Sequence, residues 1–128
     1  MKNNLMKKII LITCVAPKLK NPAPAKELYQ GTLFTELLAY AEAEKPDYQF
    51  ILSGKYGLLQ LDQRIAPYDV NLNLVTDEEL KKWAESVLKD LAEYANFEQD
   101  HFILLTNPTY AKHLIPHFKN YEMPVEIE

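Results

Sequence analysis

The chain has 128 residues, 48% of them apolar and 25% charged, with a formal net charge of −4 at pH 7, which are ordinary values for one soluble globular domain with a substantial core. The acidic balance weighs against a broad basic surface for duplex nucleic acid, and no apolar run reaches the length of a membrane span. A single cysteine excludes an internal disulfide framework and favours a reducing, cytoplasmic setting.

Residues 8–13 (Lys8-Ile9-Ile10-Leu11-Ile12-Thr13) form a continuous β-branched run of the kind found in strands buried on both faces. The Lys7-Lys8 pair gives it a superficial likeness to a signal peptide. The run is short, however, and no small-residue cleavage pattern follows, so a first core strand is the better reading. Pro17, Pro22 and Pro24 make residues 14–26 an irregular loop. A helix is expected over residues 29–44, where Leu33, Leu37, Tyr40 and Ala41 fall at helical spacing and Phe34 and Leu38 widen the stripe. Pro46 and Asp47 end it.

Residues 48–53 read as the second strand. Residues 54–75 read as a long functional loop, with a short helical turn near Gly57-Leu58-Leu59. Thr76 and Glu79 have the spacing of a capping box, and the helix they open carries Leu80, Trp83, Val87, Leu91 and Tyr94 on one face. Residues 101–106 form the third strand. Asn107 as N-cap and Pro108 at the first helical position open a helix expected to reach residue 118. A short final strand is expected at Val125-Glu126-Ile127.

Strands alternating with helices imply an α/β fold. The expectation is a single domain over residues 1–128, with a mainly parallel, open, Rossmann-like sheet covered by helices on both faces in three layers. In such sheets ligands bind outside the carboxyl ends of the strands. The three exits here are Thr13-Cys14, Ser53-Gly54-Lys55 and Thr106-Asn107-Pro108. All carry small polar residues or glycine, and they are expected to converge on one crevice.

The stretch after the second strand cannot be explained as a packing element. Ser53, Lys55, Tyr56, Asp62, Arg64, Tyr68 and Asp69 crowd a segment with little helical period, and Gly54 and Gly57 allow close backbone approach. Local basic clusters, Lys18/Lys20/Lys26 and Lys55/Arg64, suit one phosphate or carboxylate better than a long duplex. The Walker A order is missing, so Lys55 is not a P-loop lysine. Cys14 sits where a nucleophile might stand, but no histidine lies in the other loops to activate it. His113 and His117 are four apart on a helix, yet Pro116 falls between them and no third ligand is near. Neither a metal nor a cofactor is expected.

The segment Leu52-Ser53-Gly54-Lys55-Tyr56-Gly57-Leu58-Leu59, followed by Asp62, Ile65, Pro67, Tyr68 and Asp69, resembles a family of uncharacterised bacterial and phage domains. That family's pattern is S-[AG]-K-Y-G-L-L, then D, then I-x-P-Y-D. A second block, Ala25-Lys26-Glu27-Leu28-Tyr29-x-Gly31-x-x-Phe34, is similar to the same family's A-x-x-L-Y-x-G-x-x-F. A more distant likeness is to the YaaA peroxide-stress proteins. The resemblance implies an α/β fold and a link to nucleoside, nucleotide or nucleic-acid metabolism.

The function expected is binding of a nucleoside or nucleotide at the strand ends, with action on a glycosidic or phosphate bond as its catalytic form. Lys18 and Lys55 would contact an anion, Ser53 and Asn107 would give hydrogen bonds, and Tyr56 or Tyr68 would stack on a base. Tyr29 and Gly54 would line the same cleft. Asp62, or the Tyr68-Asp69 pair, would supply an acid or base or hold ribose hydroxyls. Two readings from other classes stand beside this one: a non-catalytic nucleic-acid-binding stress module, and a regulatory partner of a nucleic-acid-modifying enzyme.

Overall fold

In the computed structural model, which describes residues 6–13, 21–28, 32–68 and 72–125, the first apolar run becomes strand β1 (Lys8–Thr13). Ile9, Ile10, Leu11 and Ile12 are each 0% exposed, as the β-branched pattern requires of a strand covered on both faces. Two short pieces follow, strand β2 (Ala23–Pro24) and helix α1 (Ala25–Leu28), then helix α2 (Thr32–Ala43). Strand β3 (Tyr48–Ser53) pairs parallel to β1 with Ile9 opposite Tyr48 and Thr13 opposite Leu52. Strand β4 (Gly57–Gln60) returns antiparallel on β3, and β5 (Arg64–Ile65) pairs with β2.

Helix α3 (Asp77–Leu91) starts at the capping box the sequence announces. Thr76 Oγ1 accepts from the Glu79 amide at 3.1 Å, and the Glu79 carboxylate accepts from the Thr76 amide at 3.2 Å. Strand β6 (His101–Leu105) pairs parallel to the other edge of β1, from Lys8 opposite His101 to Ile12 opposite Leu105. Helix α4 (Pro108–Ala111) and strand β7 (Asn120–Glu122) complete the order. The result is an α/β fold with a mostly parallel, mixed five-stranded sheet in the order β4-β3-β1-β6-β7. No helix among the described residues is long and apolar enough to cross a membrane.

The face on which α3 packs follows from contacts and register. Tyr94, just beyond α3, meets Phe50 at a ring-centroid distance of 5.0 Å. Phe50 therefore points toward α3. So, by the strand alternation and the register, do Leu52 and the partners of these two residues on β1, Leu11 and Thr13.

Where the structure departs from the sequence reading, backbone chemistry gives the reason. Gly57-Leu58-Leu59 is strand, not helical turn. Gly57 takes φ +75°, which lets the chain reverse after residues 54–56 and pair back along β3. The helix expected to reach residue 118 stops at Ala111, with only a 3-10 turn at Ile115–His117. Pro116 has no N–H, and its ring would strike the carbonyl of residue 112 in a continuous helix. The last strand is Asn120–Glu122, placed by its pairing with His101–Ile103, and Val125 belongs to no strand. Residues 126–127 lie outside the described residues. The segment expected to be irregular through residue 26 already contains β2 and α1, and the helix predicted from residue 29 is described from Thr32.

Gln63 turns back on the new hairpin, its side-chain oxygen accepting from the Gln60 amide at 3.3 Å. Arg64 donates to the Pro22 carbonyl at 3.2 Å and so holds the approach to β2.

Gly57→Ala should cost about 1–2 kcal/mol, because an L-residue is forced into the left-handed region. The space itself would accept the methyl group, since the nearest atom, Val87 Cγ2, is 3.8 Å from where it would sit. Urea denaturation of the two proteins measures this, and equal midpoints would contradict it.

Candidate functional site

Four of the five buried polar residues among those described sit where the central parallel strands end: Thr13 after β1, Ser53 at the end of β3, and Thr106 and Asn107 after β6. The fifth, Asp100, lies at the opposite end, accepting from the Lys7 and Asn96 amides. Burying a polar group is unfavourable unless it is hydrogen-bonded, so each of the four raises the question of its partner.

Ser53 is partnered within the protein as an acceptor. Its Oγ accepts from the Lys55 and Tyr56 amides at 3.2 and 3.0 Å, which closes the turn at residues 54–56. Its carbonyl accepts from the indole N–H of Trp83 at 2.8 Å. Asn107 Oδ1 accepts from the Tyr110 amide at 3.0 Å and caps α4, a helix of four residues with little dipole to offer an anion. Thr13 Oγ1 and Thr106 Oγ1 are different. Both are buried, at 2% and 0% exposure, and neither has a hydrogen-bond partner among the described residues.

The turn after β3 carries three of the sequence-predicted residues. Gly54 is its half-buried first position, and Lys55 is exposed, its Nζ 5.3 Å from the centre of the Tyr56 ring. Tyr56 donates to the Ala66 carbonyl at 3.3 Å and meets Tyr68 edge to face at 5.4 Å. Ser53, Gly54, Lys55, Tyr56 and Tyr68 are thus brought together. Lys18, Tyr29, Asp69 and Cys14 lie outside the described residues.

Asp62 is not part of this group. Strand β4 runs back toward the amino end of β3, so Gln60 lies opposite Phe50, and Asp62 follows beyond it. At roughly 3.3 Å per residue, that carries Asp62 more than 10 Å from the turn at residues 54–56. It lines a groove of about 600 Å³ with Lys26, Asp47, Tyr48, Gln49 and Gln60. A smaller groove of about 310 Å³ adjoins it along β4, between Tyr56, Leu58 and the Asp90 and Glu93 carboxylates. Gln49 Nε2, on the wall of the larger groove, is buried without a partner.

Sequence reasoning named Thr13 and Thr106 only as strand exits and Trp83 only as a core residue. The available signal was a hydroxyl residue closing each apolar strand. What it could not show is which hydroxyls the protein satisfies itself.

Helix α4 is tied to the first turn of α3 by Asp77. The Asp77 carboxylate accepts from Lys112 Nζ at 2.8 Å and pairs with His113 Nε2 at 2.9 Å. Those hydrogen bonds, Lys112 first and His113 second, hold its pKa at about 2, below the ordinary 3.8. His113 is therefore engaged with a carboxylate. Among the described residues no group of three or more His, Cys, Asp or Glu side chains could hold a metal ion.

Residues 9–128 match the model of a family of unknown function, DUF6884, and the chain belongs to that family. No curated protein and no solved structure matches it.

Because the Asp77 pKa is depressed in the folded state, its ion pairs contribute stability that is present above the unfolded value near 4. That contribution is lost as pH falls toward 2. Between pH 4 and pH 2 the urea midpoint of the native protein should drop further than that of Asp77→Asn. The difference should shrink in high salt, since the carboxylate is solvent-exposed. Parallel pH profiles for the two proteins would refute the coupling.

Proposed function

We propose that this member of the DUF6884 family binds a nucleoside or nucleotide at the carboxyl ends of β1, β3 and β6. One observation carries the reading: buried polar groups gather at that end of the sheet, two of them with no partner among the described residues. The chain order supports the location. From β1 the chain moves to β3 on one side, then crosses to β6 on the other, so the order reverses at β1 and β6, where open α/β sheets leave a crevice. Right-handed crossovers in the two directions would put α2 and α3 on opposite faces, completing a Rossmann-like three-layer arrangement.

In this reading Lys55, exposed beside the turn, meets a phosphate, and the Tyr56-Tyr68 pair offers a ring for stacking. Acid–base chemistry would fall to Tyr68 and its neighbour Asp69 rather than to Asp62, which lies at the far end of β3. The likeness of residues 52–69 to the YaaA segment belongs to the same proposal. A second reading rests on the unpartnered Gln49 amide in the larger groove, where Asp62 and Lys26 would meet a different small ligand.

A thermal-shift titration against nucleosides, nucleotides and short oligonucleotides separates these readings, because a ligand specific for the folded state must raise Tm. Nucleosides and nucleotides should stabilise the protein. Lys55→Ala should weaken nucleotide binding by about 1 kcal/mol, roughly fivefold, and leave the nucleoside unaffected. Stabilisation by oligonucleotides alone, with a steep salt dependence, would favour a nucleic-acid-binding module instead. No response to any of these would defeat the strand-end reading.

A further inference from the structure

The two unpartnered hydroxyls are neighbours. The last paired position between β1 and β6 is Ile12 opposite Leu105, so the register continued by one step sets Thr13 beside Thr106. Adjacent strands are about 4.8 Å apart, close enough for both hydroxyls to reach one ligand edge. Each is buried without a partner, a state that is unfavourable in the empty protein and relieved when a ligand supplies the missing bond.

Aromatic rings span the same end. Trp83 is held at the end of β3 through the Ser53 carbonyl, and its ring meets Tyr110, which follows β6, edge to face at 5.4 Å. Since β1 lies between β3 and β6, this pair bridges the carboxyl end of β1. It does so on the α3 face, the face to which Thr13 points.

The electrostatics define what the site can take. The buried polar residues among those described are Thr13, Ser53, Asp100, Thr106 and Asn107, and none is cationic. A phosphate drawn into this position would be desolvated without a counter-charge from any buried residue among those described, which is strongly unfavourable. An uncharged planar ring whose edge carries both donors and acceptors meets no such penalty. It matches hydroxyls that can give or take a hydrogen bond, and it suits the aromatic surroundings.

We infer that Thr13 and Thr106 form a paired hydroxyl reader for the uncharged edge of a nucleobase, with any phosphate left outside near Lys55. The inference rests on the strand-end reading and deepens it. The ring is the recognised group, and the two threonines determine specificity.

Calorimetric titration of the native protein, Thr13→Val, Thr106→Val and Thr13→Ser tests this, with the four ribonucleosides, their 5′-monophosphates and ribose 5-phosphate as probes. At least one nucleoside should bind within about tenfold of its monophosphate, the difference being the Lys55 contact, and ribose 5-phosphate should not bind. Each valine variant should weaken that nucleoside at least tenfold, while Thr13→Ser retains it. Valine replaces the hydroxyl with a methyl of similar shape, so the urea midpoints of the valine variants should equal or exceed that of the native protein.

A lower midpoint would mean that the protein itself satisfies the hydroxyls, and the inference would fall. Nucleoside binding unchanged in both valine variants would also overturn it and leave the strand-end reading standing. So would ribose 5-phosphate binding as tightly as the nucleotides. Absence of binding by every probe to the native protein would overturn both.

Discussion

Strand β1 is paired along both edges, to β3 on one side and β6 on the other, while Ile9 through Ile12 are fully enclosed above and below. Nothing polar between Ile9 and Ile12 can reach solvent sideways. Its backbone groups are consumed by two parallel ladders, and its side chains must be apolar over the whole enclosed length. Chemistry is therefore displaced to the termini. At the amino end the chain handles it with Asp100 and Asp47, which accept from the Lys7 and Lys8 amides. At the carboxyl end it leaves hydroxyls. The asymmetry between a satisfied lower end and an unsatisfied upper end follows from enclosing one strand completely.

The hairpin between β3 and β4 is fastened to the helical layer through one residue. Ser53 closes the turn with its side chain and anchors Trp83 with its carbonyl. Val87, one turn further along α3, stands over Gly57, whose left-handed backbone makes the reversal possible. Turn geometry and helix position are thereby set by the same few atoms. The rings that bridge the strand ends are held with respect to the strands by a buried hydrogen bond rather than by apolar contact alone, which fixes their orientation as well as their proximity.

The parts of this fold legible in the sequence are those with a local physical signature. Ile9 to Ile12 announce an enclosed strand through β-branching, and Thr76 with Glu79 announces a helix start through reciprocal hydrogen bonds. The illegible parts depend on distant pairing. Leu58-Leu59 fits a helical turn or a strand equally well, and only pairing with Ile51 and Leu52 decides. Asn120-Tyr121-Glu122 has no apolar alternation, because an edge strand with exposed side chains needs none. Asp62 looked close to Ser53 because it is near in sequence, and the antiparallel return of β4 carries it to the other end. For the candidate site, the positions of polar residues at strand ends were visible. Which of them the protein leaves unpartnered was not, since satisfaction is a property of three-dimensional neighbours.

The outer edge of β4 carries a consequence for solubility. A strand at the margin of a sheet presents free amides that can template another chain, and long, flat margins are where edge-to-edge association begins. Here the margin is four residues long, and the amide of its last residue, Gln60, is already occupied by the Gln63 side chain. The chain then leaves the sheet through Leu61-Asp62, with a carboxylate at the point where a neighbouring strand would have to continue. A glutamine three residues beyond the strand thus acts as a stopper at the last amide of β4.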